Sequence, residues 1–179
     1  ILNKEPSRLN NIIVVHVVNG RDHFVSVEGD YKVSQFANEI SESDGVPVAV
    51  QKLGDFIKTH KGIEYPNMLM QPGAPGLLDE LIRTIDSGEA IDDKFAEGDY
   101  ILAVGECLLV YLQSSPEPLQ FNEPVLHFVV DLFKEMPSVN DTVDVDALRV
   151  VLGGALCKQE TIEDEAKGEQ LLQFMRQYI

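Results

Sequence analysis

No tryptophan occurs in this sequence, and basic residues are scarce: fourteen lysines and arginines stand against thirty aspartates and glutamates. The resulting formal charge of -16 repels phosphate backbones and anionic headgroups, which excludes nucleic acid and direct membrane binding through a basic patch. No apolar run reaches the length of a membrane span, and the opening Ile1-Leu-Asn-Lys-Glu-Pro-Ser-Arg8 lacks the pattern of a signal peptide. The two cysteines, Cys107 and Cys157, each sit inside an apolar helical pattern, so buried free thiols are expected rather than a disulfide, as suits a reducing cytosol. The four histidines, His16, His23, His60 and His127, show no metal-ligand spacing. Gly73-Ala-Pro-Gly76 lacks the Gly-Lys-Ser/Thr ending of a phosphate-cradling loop, and Ser114-Ser115 lacks a nucleophile elbow. The residues alone therefore build no active site, metal site or cofactor site.

What is present is enough apolar material, 44% of 179 residues, for one good core. Ile12 to Val18 is a β-branched run, Asn19-Gly20 supplies positive φ for a tight hairpin turn, and His23 to Val27 returns. Glu28-Gly-Asp30 signals a second turn, leading into Tyr31 to Phe36. An isolated hairpin is marginal in water, so these strands need a larger sheet. With no initial Met either, the sequence reads as a piece of a longer protein that starts within or at the end of a β domain.

After Gly45 the period changes from two to about 3.6 residues. Val46, Val50, Leu53 and Ile57 share a face, which predicts a helix from Pro47 to about His60. A Pro/Gly-rich loop follows, then a helix from Pro75 to about Ser87 with Gly88 as its C-cap. Glu89 to Asp99 shows no regular pattern. The stretch Glu106 to Phe121 is an apolar helix halted by Ser115-Pro-Glu-Pro118, and its face is wide enough for a central packing element. Asn122 caps a further helix that Pro137 stops, Asp144 to Leu156 forms another, and Thr161-Ile-Glu-Asp164 opens a last one running to Ile179. The fold class expected is mainly α, with about six helices behind a β appendage.

Four stretches carry a resemblance. Tyr111-Leu-Gln-Ser-Ser-Pro-Glu-Pro-Leu119 resembles the helix and Pro-Glu-Pro turn of RhoGAP domains, and Asp146 to Leu156 looks like a later helix of that fold. Ile12 to Tyr31 is similar to the last strands of the Ig-like β-sandwich (ASH) domain of inositol polyphosphate 5-phosphatases of the oculocerebrorenal (OCRL) type, in which that sandwich directly precedes a RhoGAP-like domain. Met70-Gln-Pro-Gly73 resembles that family's version of the RhoGAP finger loop. The resemblance implies residues 1–40 as the end of the sandwich and 41–179 as a RhoGAP-like helical domain, with about two helices' worth of the family pattern missing after Phe121.

Active RhoGAP domains insert an arginine from the finger loop, worth about 10³ to 10⁵ in rate. The resemblance sets Met70 at that position, Leu109 and Gln113 where a lysine and an arginine stand on the central helix, and Ala155 in place of a late-helix asparagine. A thioether cannot stabilise charge spreading over a transferring phosphoryl group. The resemblance thus implies a catalytically silent module of a phosphoinositide 5-phosphatase, whose Mg²⁺-dependent catalytic domain and tryptophan-containing motifs precede this region. It implies small GTPases of the Rho, Rac, Cdc42 or Rab type and endosomal adaptor proteins as partners, and a cytoplasmic location peripheral to endosomal or Golgi membranes. Phe36 corresponds to an aromatic of the adaptor site, Gln51 stands where that site has a tryptophan, and Gln71 and Gln113 join Met70 as partner-facing candidates. Two other readings stand beside this one: an active Rho-family GTPase activator with an arginine from elsewhere, and a helical domain that only stabilises its β neighbour.

Overall fold

In a computed structural model that describes residues 7–31, 33–37, 45–119, 122–157 and 173–179, the β-branched run and its return form one antiparallel hairpin, β1 (Ser7–Val15) and β2 (His23–Tyr31). Val15 pairs with His23 and Ser7 with Tyr31, so both strands run further than the β-branched residues alone suggest. Because side chains alternate along a strand, this register gathers Leu9, Ile13, Val15, Val25 and Val27 on one face. The other face mixes Ile12, Val14 and Phe24 with Arg8, Asn10, Glu28 and Asp30.

Two turn signals resolve differently from expectation. The connection spans residues 16–22 rather than a two-residue turn, although Asn19 does take a left-handed φ of 61° and the Gly20 amide donates to the Val17 carbonyl at 2.9 Å. Glu28-Gly-Asp30 lies inside β2, where ladder pairing with Asn10, Leu9 and Arg8 outweighs local turn preference. The described part of the segment after Tyr31 forms no strand; Phe36 is buried instead.

The chain divides into two compact units, Ile1–Ser34 and Gln35–Ile179, and the regular elements among the second unit's described residues are all helical. It contains α1 (Val48–Thr59), α2 (Leu77–Ser87), α3 (Tyr100–Ser114), α4 (Glu123–Phe133), α5 (Met136–Val139) and α6 (Val145–Cys157), with short 3₁₀ turns at Gly62–Glu64 and Asp93–Ala96. Gly88 ends α2 in the left-handed conformation, φ 79°, its amide donating to the Ile85 carbonyl, while Asp79 and Glu80 complement the positive end of that helix. The Asn122 carboxamide oxygen accepts from the Val125 amide at 3.1 Å and caps α4.

Helix α3 is the hub. It packs against α1, α2 and α6, and buries Ile101 through Gly105, Cys107, Leu108, Tyr111 and Leu112. Each such Leu or Ile contributes about 1.5–3 kcal/mol, which explains a helix apolar on nearly all sides. It starts at Tyr100, earlier than Glu106, because Tyr100-Ile-Leu-Ala-Val-Gly105 continues the same buried surface. Pro137 does not stop a helix; it lies in the first turn of α5, where its missing amide costs nothing. Cys107 and Cys157 are buried thiols not joined in a disulfide, as expected, and burial pushes them up to about 12 and about 11. Of the helix expected over 161–179, only 173–179 lies within the described residues; Met175 there is fully buried. No helix among the described residues is long and apolar enough to cross a membrane.

Candidate interaction surface

Small residues on α3 allow the loop between α1 and α2 to lie directly against it. A Cβ on Gly73 would meet Ala103 Cβ at 2.4 Å and its Cα at 2.6 Å, and a Cβ on Gly105 would meet Met68 Cε at 2.9 Å. The contact is fixed by a hydrogen bond: the Gly73 amide donates to Glu106 Oε2 at 2.9 Å, in a half-buried site. The loop itself is tightly wound. Asn67 and Leu69 take left-handed φ values of 60° and 66°, and the amides of Met70 and Gln71 both donate to the Asn67 carbonyl. Left-handed geometry in a buried leucine costs roughly 1–3 kcal/mol and is retained because Met68 and Leu69 are held in the core, at 0% and 5% exposure.

Further contacts hold the same loop from behind. Buried Asn140 donates through Nδ2 to the Tyr65 carbonyl at 2.8 Å, while its Oδ1 accepts from the amide and hydroxyl of Thr142. The Tyr65 hydroxyl donates to Asp99 at 2.6 Å, and that hydrogen bond raises the phenol's pKa. The loop is thus joined to three parts of the helical unit.

On this frame Met70 is half-buried against the core and Gln71 is exposed. Helical spacing puts Glu106, Leu109 and Gln113 along one face of α3, the face that receives Gly73. Leu109 is half-buried and Gln113 exposed. Leu109 and Gln113 therefore share one side of α3. Ala155 does not join them at the surface, since it is 1% exposed in the core. Phe36 is 8% exposed and packs edge-on against Tyr111, ring centroids 5.1 Å apart. Tyr111 lies across α3 from Leu109 and Gln113, so Phe36 belongs to a separate place. Its neighbours are anchored too: the Gln35 amide donates a hydrogen bond to Asp86 Oδ1 and the Ala37 amide donates one to the Ser114 hydroxyl oxygen. Gln51 is exposed on α1, its side-chain amide donating to the Val46 carbonyl at 2.7 Å.

Among the described residues of the helical unit, the arginines are Arg83, Arg149 and Arg176. Arg149 donates to Asp146 and, twice, to the Ile179 carbonyl. No arginine stands in the loop from Tyr65 to Gly76. The Glu106–Gly73 bond carried no motif in the sequence; only the small residues Ala103 and Gly105, beside a lone acid on an apolar helix, hinted at it.

The arrangement is that of a helical domain with a pinned, uncharged loop over its central helix. No family model matches the chain. Among curated proteins, it is 22% identical over 244 residues to a type II inositol 1,4,5-trisphosphate 5-phosphatase of Mus musculus, a match that takes in 99% of this chain and 24% of that protein. The chain therefore spans about a quarter of the length of the relative it matches. The matched span is also longer than the chain's own 179 residues, so the relative carries stretches within it that have no counterpart here.

Proposed function

We propose that this chain is a catalytically inactive, RhoGAP-like protein-interaction module of a phosphoinositide 5-phosphatase, and that it docks small GTPases or endosomal adaptors to position the phosphatase at endosomal or Golgi membranes. The observation that carries the proposal is the loop at Met70: it lies against the central helix, contains no arginine and holds a half-buried thioether at the position that the resemblance aligns with the arginine of an active RhoGAP domain. The match to an inositol 5-phosphatase along the whole chain supports the identity of the parent, and the mainly helical architecture behind a β-hairpin supports the order of parts. Phosphatase chemistry and its Mg²⁺ then belong to another part of the parent protein.

The GTPase-facing surface is the side of α3 that bears Leu109 and Gln113, with Met70 and Gln71 beside it. The adaptor-facing residues are Gln51, an exposed amide in place of an aromatic, and Phe36, whose ring is already engaged by Tyr111. Single-turnover GTP hydrolysis by Rho, Rac and Cdc42 proteins tests the reading. No acceleration is expected, against the roughly 10³ to 10⁵ that an arginine finger supplies. Binding that prefers the GTP state and weakens in Gln71→Ala or Gln113→Glu is the positive outcome; a tenfold or greater acceleration would show an active GTPase activator instead.

A further inference from the structure

The helical unit carries an open groove of about 370 Å³, lined by Lys52, Asp55, Phe56, Thr59 and His60 of α1 and by Ala90 and Ile91 of the connection after α2. Its volume falls within the usual range for ligand-binding clefts. The floor is apolar: Phe56 is nearly buried, Ile91 half-buried and Ala90 exposed. The two basic side chains of the lining, Lys52 and His60, are already engaged. Lys52 Nζ donates to the carbonyls of Gly88 and Glu89, at 2.7 and 3.1 Å, where the negative end of α2 meets the connection. The His60 ring lies over Phe56, centroids 4.3 Å apart, with Nε2 3.8 Å from Asp93.

The acids are the more exposed groups, although Asp93 is the neighbour of His60 and Asp92 Oδ1 accepts from the Lys94 amide. Asp55 lines the groove and is exposed, and Asp93, with its side chain 94% exposed, stands beside His60. Glu89 and Asp92 flank the lining residues Ala90 and Ile91 in the chain and are also exposed. An apolar floor with an acidic rim, on a chain of net charge -16, attracts cations and repels anions.

We propose that this groove is a docking site for a basic peptide segment of a partner protein, which seats one large apolar side chain over Phe56 and Ile91 and sets a lysine or arginine against Asp55 and Asp93. The site uses none of the residues of the Met70 loop or of the α3 face, so it stands or falls apart from the function proposed above.

The test is amide chemical-shift mapping on the full chain with short peptides carrying Leu, Met, Phe, Tyr or Trp between two arginines, alongside counterparts with glutamates in place of the arginines. Saturable shifts confined to residues 52–60 and 88–93 are expected from the basic peptides alone, weakening as salt is raised. Asp55→Lys and Asp93→Lys should each weaken binding by about five- to tenfold, with amide signals far from the groove unchanged to show that the fold is intact. The proposal is overturned if none of the basic peptides gives saturable shifts, if the shifts fall elsewhere, or if the acidic peptides bind equally well. It is also overturned if the groove signals move with protein concentration alone, which would make a second copy of this chain the occupant.

Discussion

The hairpin and the helical unit contain similar side chains and use them in opposite ways. Ile12 and Phe24 on the strands are 62% and 70% exposed, while Leu53, Leu108, Phe133 and Leu152 in the helices are buried completely. The hairpin's pairing satisfies its backbone but removes little apolar surface from water. The helices remove a great deal. One region is specified by local pairing and the other by packing, and equivalent substitutions should separate them.

The largest difference is expected for truncation of an apolar side chain. Leu108→Ala should cost about 2–5 kcal/mol of unfolding free energy, because it opens a cavity at the centre of α3. Ile12→Ala should cost no more than about 0.5 kcal/mol. Urea unfolding of both variants makes the measurement, and equal losses would mean that the hairpin face is as covered as the core.

Glycine gives the next contrast. Gly73→Ala drives a methyl group into the backbone of Ala103 and should destabilise the helical unit by about 1–3 kcal/mol, with loss of protection at the loop amides. Gly29→Ala in β2 meets nothing within 4 Å and should be neutral or stabilising by up to about 1 kcal/mol. A harmless Gly73→Ala would show that the loop is not pressed against α3.

The last effect, absent at neutral pH and growing only in alkali, concerns the buried thiols. Cys107 stays protonated in the fold up to about 12 while its ordinary value is 9.0, so above about pH 9 the unfolded chain binds fewer protons and stability falls as pH rises toward 12. Cys107→Ala should flatten that alkaline decline, measured as thermal midpoint against pH, whereas changes in the hairpin should leave it untouched. An unaltered slope would put the decline on other groups.

The sequence made the helical unit legible where burial and capping act locally. The 3.6-residue period marked α1, α2 and α6, Gly88 and Asn122 marked two helix ends, and the apolar settings of Cys107 and Cys157 announced buried thiols without a disulfide. Where long-range contacts decide, local signals misled. Glu28-Gly-Asp30 reads as a turn until its ladder partners are known, and Pro137 reads as a stop until the chain is seen to begin a new helical turn there. The left-handed Leu69 was invisible, since nothing local favours it and only core contacts at Met68 and Leu69 sustain it. The groove between α1 and residues 90–91 was equally hidden. Lys52, Asp55 and His60 look like an ordinary solvated helix face, and the connection that completes the groove shows no pattern of its own.

The bond between Glu106 and the Gly73 amide carries one more consequence. An amide hydrogen held by a half-buried carboxylate exchanges with solvent only when the loop lifts from α3. Its exchange rate is therefore a built-in clock for that opening, readable without any label or partner. A ligand that settles on the closed loop would slow it, and one that needs the loop displaced would quicken it.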